Sequence, residues 1–210
     1  MKAEVRKRKL RSDKKREIKP TVPSQLYECF DRLSYITNTP IKDVGVVICK
    51  KGLYSTAVIE YLSNYFRRDY WASNNTMYTG NFDQSVCKIQ KGIPKRRMTM
   101  KFFQSDHDKI ARLAYSLDLT VSSTAALLLE TSVKNTDIVN AFISNQARNE
   151  LDPKRMKQLR EVVKFINKNN PYQQEISLGA FIGMLMEEVK DTAFTMSESI
   201  KRWLDDQSDF

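Results

Sequence analysis

The chain has 210 residues, of which 41% are apolar and 29% charged, with 35 Lys/Arg against 25 Asp/Glu and a formal net charge of +10. That length holds one or two domains with a buried core, and no apolar run reaches the roughly 18 residues of a membrane helix, so a cytoplasmic protein with no membrane partner is expected. A single histidine, His107, and three scattered cysteines, Cys29, Cys49 and Cys87, speak against His-rich metal sites and a Ser-His-Asp engine and fit reduced thiols.

The charge is concentrated. Residues 1–19 hold ten Lys/Arg and three acids, and residues 67–101 hold eight Lys/Arg and two acids. Basic blocks of this kind attract a polyanion, because each neutralised phosphate releases condensed counterions. No secretory signal is read in residues 1–19, which lack an apolar middle. Residues 1–16 are too polar to bury and show no periodicity, so they read as a disordered basic tail.

From Ile18 to Val22 apolar and polar residues alternate, interrupted by Pro20. Ser24 is the expected cap of a helix with Leu26, Cys29, Phe30, Leu33 and Ile36 inside. After Thr37-Asn38-Thr39, Pro40 opens a second helix that Gly52 is expected to end. Residues 56–66 read as a third. Shifted by 80 residues, the pattern returns. Arg97 to Phe102 alternates, Ser105 caps a helix through Ile110, Leu113 and Leu117, and Asp118-Leu119-Thr120 turns the chain. Thr120 or Ser122 caps the next helix, and residues 136–146 form another. Few letters repeat, but the apolar positions do, as in a duplicated unit. Residues 67–95 read as a connector in which Tyr70, Trp71, Tyr78 and Phe82, beside Arg67, Arg68, Lys88 and Lys91, either stack on bases or form a lid on the core. Asp152-Pro153 starts a helix to about Asn169, Ser177 starts another, and Thr195 or Ser197 a last short one. Met184, Met186 and Met196 read as core residues or a partner surface, and Glu187, Glu188, Asp191, Asp205, Asp206 and Asp209 as a solvated acidic face.

A single strand needs a partner. The nearest partner for residues 17–22 is residues 97–102, giving one antiparallel two-stranded ribbon. Ile18, Val22, Met98, Met100 and Phe102 would face the helices, and Glu17, Lys19, Thr21, Arg97, Thr99 and Lys101 would face outward. Such a ribbon fits the DNA major groove, where Arg and Lys reach guanine edges and Thr meets a base or a thymine methyl.

The segment RMTMKFFQSDHDKIARLAYSLDLTVSSTAALLLETSV resembles the ribbon–helix–helix family of DNA-binding proteins. The resemblance implies a mainly α fold: two tandem units in one chain (17–66 and 96–148, each with an extra helix) make a pseudo-dimer on one short β-ribbon, followed by a C-terminal helical region, 151–210. It implies base contacts from Arg97, Thr99 and Lys101, and from Lys19 and Thr21 in the less similar first unit, where Glu17 and Pro20 are unusual. It implies phosphate contacts at the start of the second helix of each unit, Thr120, Ser122 and Ser123 in one and Lys42 in the other, to which the tail adds Arg6, Lys7, Arg8 and Lys9. The expected function is sequence-specific binding of double-stranded DNA, as a transcriptional repressor first. A plasmid partition or DNA-transfer accessory protein, recruiting a partner or a second copy through residues 151–210, comes second. A protein-interaction scaffold is the alternative outside DNA binding. No catalytic residue, cofactor or metal is expected: the sequence lacks a glycine-rich phosphate loop and a nucleophile–base pair, and Asp106 and Asp108 read as first-turn helix acids.

Overall fold

The computed structural model describes residues 14–72, 75–87, 92–146 and 152–189. Two short strands, β1 (Arg16–Ile18) and β2 (Thr21–Pro23), lead into α1 (Ser24–Thr37), α2 (Ile41–Tyr54) and α3 (Thr56–Ser63). A small hairpin, β3 (Tyr70–Trp71) and β4 (Met77–Tyr78), follows. Then come β5 (Lys95–Arg97), β6 (Met100–Phe102), α4 (Gln104–Leu117), α5 (Val121–Val133) and α6 (Thr136–Gln146), with α7 (Pro153–Asn167) and α8 (Leu178–Val189) last. The chain is mainly helical with short antiparallel strand pairs.

Helix starts in the two halves differ by 80 residues: Ser24 and Gln104, Ile41 and Val121, Thr56 and Thr136. Their first helices also stop alike. Asn38 (φ 52°) and Asp118 (φ 57°) are left-handed, and their N–H groups donate back to Ser34 O and Ala114 O. Short polar side chains tolerate that conformation, so glycine is not required at these turns.

The extended segments of the two halves pair with each other. β1 runs antiparallel to β6, with Glu17 opposite Lys101 and Ile18 opposite Met100. β2 runs antiparallel to β5, with Thr21 opposite Arg97 and Pro23 opposite Lys95. The interruption falls at Pro20, which has no N–H to give to a ladder. Its carbonyl still accepts from Met98 N–H at 2.9 Å, and Ser24 N–H donates to Pro94 O at 2.9 Å to close the end. Ile18, Val22, Met98, Met100 and Phe102 are buried, while Glu17, Lys19, Thr21, Arg97, Thr99 and Lys101 are exposed. The alternation thus resolves into the two faces expected of it.

Under the ribbon the halves interlock. Gly45 on α2 lies where a Cβ would stand 2.7 Å from Met98 Sδ and 2.9 Å from Met100 Sδ, both on the other half's extended segment. α2 and α5 pack side by side, and a Cβ on Gly52 would come within 1.7 Å of Ser132 Oγ. Gly52 was expected to end its helix. The helix instead continues to Tyr54, and Gly52 serves the close approach of α2 to α5. One buried cluster runs from Ile18 to Leu185. α7 joins it through Met156, Leu159, Val162 and Ile166 against α1, where Arg32 also donates to Gln158 Oε1, and α8 joins through Phe181, Ile182 and Leu185 against α6.

The helix caps differ in part from those expected. Neither Ser24 nor Ser105 caps a helix: α1 starts after Pro23 and α4 after Phe103, without a side-chain cap. Of the two candidates for α5, Thr120 is the cap. Asp152 and Ser177 do cap, accepting from Arg155 N–H at 2.8 Å and Ala180 N–H at 3.1 Å. The expected single ribbon is instead two short ladders, β1–β6 and β2–β5, broken at Pro20, and a third pair, β3–β4, lies inside the stretch read as a plain connector. The last short helix, with Met196, lies outside the described residues.

Gly52→Leu should therefore destabilise the fold by about 1–3 kcal/mol through overpacking, read from urea unfolding, and unchanged stability would contradict this packing. Burial pushes the Cys29 thiol up to about 12 and raises Cys49 and Cys87 as well, but Cys87 is only half-buried. Only a thiolate attacks a disulfide reagent. At pH 8 the native chain should yield Cys87 to Ellman's reagent first, with Cys29 and Cys49 appearing only on unfolding.

Candidate nucleic-acid interface

The ribbon collects cations because alternation forces one face to water and the sequence fills that face with Lys and Arg. Residues 14–23 and 95–102 carry Lys14, Lys15, Arg16, Lys19, Lys95, Arg96, Arg97 and Lys101 against Glu17, all exposed. Some are tethered at the flanks. Arg16 Nε donates to Gln104 Oε1 at 2.7 Å, Lys15 Nζ stands 4.9 Å from the Phe103 ring, and the Arg96 guanidinium lies 5.2 Å over Tyr27. Glu17 forms an exposed ion pair with Lys19 at 3.3 Å, of the kind that contributes little to stability. Lys95, Arg97 and Lys101 have no hydrogen bond or ion pair among the described residues. Their side chains are exposed on the outer face.

Lys95, Arg96 and Arg16 were not singled out from sequence. The signal for Lys95 was present: Pro94 disfavours helix and marks where an extended segment starts. Carrying the alternation back to it would have added Lys95 to the outward set.

Beside the ribbon lies the start of α5. Thr120 Oγ1 accepts from Ser123 N–H at 3.1 Å and bonds Ser123 Oγ at 2.9 Å. Ser122 Oγ donates to Lys19 O at 2.7 Å. The hydroxyls of Thr120, Ser122 and Ser123 are thus engaged within the protein, and the first-turn amides of Val121 and Ser122 are what helix geometry leaves for an anion. The matching start of α2 differs. It follows Pro40 without a side-chain cap, Lys42 is exposed, and Asp43 sits in the first turn, where its charge opposes an incoming anion. Arg6, Lys7, Arg8 and Lys9 lie outside the described residues.

The connector aromatics divide. Tyr70 is buried and Tyr78 half-buried, both against Phe66, with ring centroids 5.3 and 6.1 Å away. Trp71 and Phe82 are 61% and 60% exposed. Arg67 and Arg68 each lie 5.2 Å over Phe82 and pair with Asp118 at 2.6 and 2.9 Å. Half of the set is therefore a lid, and its arginines tie that lid to the α4–α5 turn. Lys88 and Lys91 lie outside the described residues.

Asp106 is in the first turn of α4, as read, but it is buried. Lys50 Nζ lies 3.2 Å from its Oδ2, and Tyr54 hydroxyl donates to Oδ1 at 3.4 Å. Asp108 instead accepts from Gln104 at 2.6 Å, so the two carboxyls are separately engaged. His107 is half-buried with Nδ1 3.7 Å from Asp108. Among the described residues no group of three or more His, Cys, Asp or Glu is placed to hold a metal, and no helix is long and apolar enough to cross a membrane. Met186 packs on the core, and Glu187 is exposed.

Comparison with known proteins finds no family model that matches the chain, no similar curated protein and no similar solved structure.

The Ser122 bond couples α5 to the ribbon at its weakest point, beside Pro20. Ser122→Ala should cost about 0.5–1.5 kcal/mol and hasten hydrogen exchange of the Met98 amide. An unchanged Met98 exchange rate would show that the ribbon is held independently of this contact.

Proposed function

We propose that the chain is a sequence-specific double-stranded DNA-binding protein, acting as a transcriptional repressor, that reads the major groove with its β-ribbon. The observation that carries this reading is the outer face: Lys95, Arg97 and Lys101 unpaired, Thr21 and Thr99 between them, on an antiparallel ladder with its apolar side sealed on the core. A two-stranded ribbon matches a major groove about 12 Å wide. The 80-residue offset of the helix starts, and the packing of α2 and α5 beneath the ribbon, support two ribbon–helix–helix-like units fused as a pseudo-dimer. Phosphates would supply most of the affinity, and the outward side chains would select the site.

The two halves of the ribbon are chemically unequal. One presents Arg97, Thr99 and Lys101, suited to guanine and to thymine methyl groups. The other presents Glu17, Lys19 and Thr21, where a carboxylate accepts from a cytosine amino group. The preferred site is accordingly asymmetric. α7 and α8 bury their apolar faces in the core, which favours a self-contained reader over an adaptor that recruits through residues 152–189.

Affinity for duplex DNA should fall steeply with salt, about one logarithmic unit per phosphate neutralised for each decade of salt. Lys101→Ala should lower affinity for the preferred site by about 1–3 kcal/mol while changing binding to random duplex much less, read by fluorescence anisotropy. Equal losses on preferred and random DNA would assign Lys101 to phosphate and defeat the proposed role in readout. Absence of duplex binding at low salt would defeat the whole reading.

A further inference from the structure

Behind the β2–β5 end of the ribbon are two adjoining clefts of about 250 and 370 Å³, both lined by Pro23, Glu130, Lys134 and Asn169. Tyr61 and Leu127 line the first and Phe165 the second. Glu130 is half-buried on α5 and has no hydrogen bond or ion pair among the described residues. Lys134, one turn on, is near enough for its charge to act on Glu130 but makes no ion pair with it: its Nζ donates to the carbonyls of Lys168 and Asn169, at 2.8 and 2.9 Å. Lys95, on the rim of the first cleft, is the unpaired opposite charge.

The duplication supplies an internal comparison. At the 80-residue offset Glu130 corresponds to Lys50 and Lys134 to Tyr54. There both side chains converge on buried Asp106, on α4 of the other half, and Lys109 Nζ, also on α4, donates to the Tyr54 hydroxyl at 2.6 Å while lying 4.0 Å over its ring. That corner is closed by its own charges and ring. The corner around Glu130 is left open as a cleft in which Glu130, Lys95 and Lys134 stand beside Leu127 and Tyr61.

We infer that this cleft binds a small zwitterion, a free amino acid with an apolar side chain, whose ammonium pairs with Glu130, whose carboxylate meets Lys95, and whose side chain lies against Leu127 and Tyr61. The site shares Lys95 with the outward face of the ribbon, so it is tested on the free protein without DNA.

The probes are L-phenylalanine, L-leucine and L-methionine, with phenethylamine (ammonium alone) and 3-phenylpropionate (carboxylate alone) as partial analogues, titrated by calorimetry at pH 7. At least one amino acid should bind saturably with a Kd between about 10 µM and 1 mM, and its partial analogues at least about tenfold more weakly. Glu130→Gln should remove the advantage of the amino acid over its carboxylate-only analogue, and Ala126→Phe, which fills the first cleft, should remove binding altogether. Both variants are first shown to melt cooperatively; if Glu130→Gln does not, the comparison of probes on the native chain and on Ala126→Phe decides. Saturable binding by none of the three amino acids overturns the inference. So does equal binding of phenylalanine and 3-phenylpropionate, or a folded Glu130→Gln that keeps the preference.

Discussion

Everything in this molecule depends on residues 16–23 finding residues 95–102. Neither segment can satisfy its backbone alone, and neither can cover its apolar face alone. Paired antiparallel, they exchange ladder hydrogen bonds and turn Ile18, Val22, Met98, Met100 and Phe102 onto the helices below. The pairing joins segments about 80 residues apart in the chain, and one buried cluster runs through both halves. Gly45 under Met98 and Met100, and Gly52 against Ser132, record how closely the halves approach.

The same constraint produces the charged face. A two-layer arrangement leaves the second side of the ribbon in water, and alternation sends Glu17, Lys19, Thr21, Lys95, Arg97, Thr99 and Lys101 there. Concentrating cations on so narrow a surface opposes folding by self-repulsion, a cost the core below must offset. A polyanion would relieve that repulsion, which links the stability of the ribbon to the occupancy proposed for it. The helices differ in what they add. The start of α5 is tied to the ribbon by Ser122 and capped by Thr120, whereas the start of α2 carries Asp43 and no side-chain cap. The elements at matching positions thus share their geometry and differ in their chemistry.

Much of this was legible in the sequence because it rests on periodicity. Alternation at 18–22 and 97–102 defined the ribbon and its faces, and the apolar offset of 80 aligned the helices. The residues that escaped notice are those whose meaning lies in distant contacts. Asp106 reads as a first-turn acid until Lys50 and Tyr54 arrive from another helix to bury it. Gly52 reads as a helix end until Ser132 is placed beside it. The β3–β4 hairpin has two-residue strands, too short for any pattern, and is held by Phe66 packing on Tyr70 and Tyr78. Ser24 and Ser105 suited the cap position by type, but Pro23 and Phe103, at the exits of the extended segments, hold it instead.

The most direct test is selection of duplex fragments from a random pool by the full chain, with sequencing of the bound fraction. A ribbon reading the major groove with two unequal halves should enrich one short, non-palindromic motif, and the enrichment should disappear when the outward residues Arg97, Thr99 and Lys101 are all replaced by alanine. A bound fraction indistinguishable from the input pool, or a motif that survives that triple replacement, would contradict it.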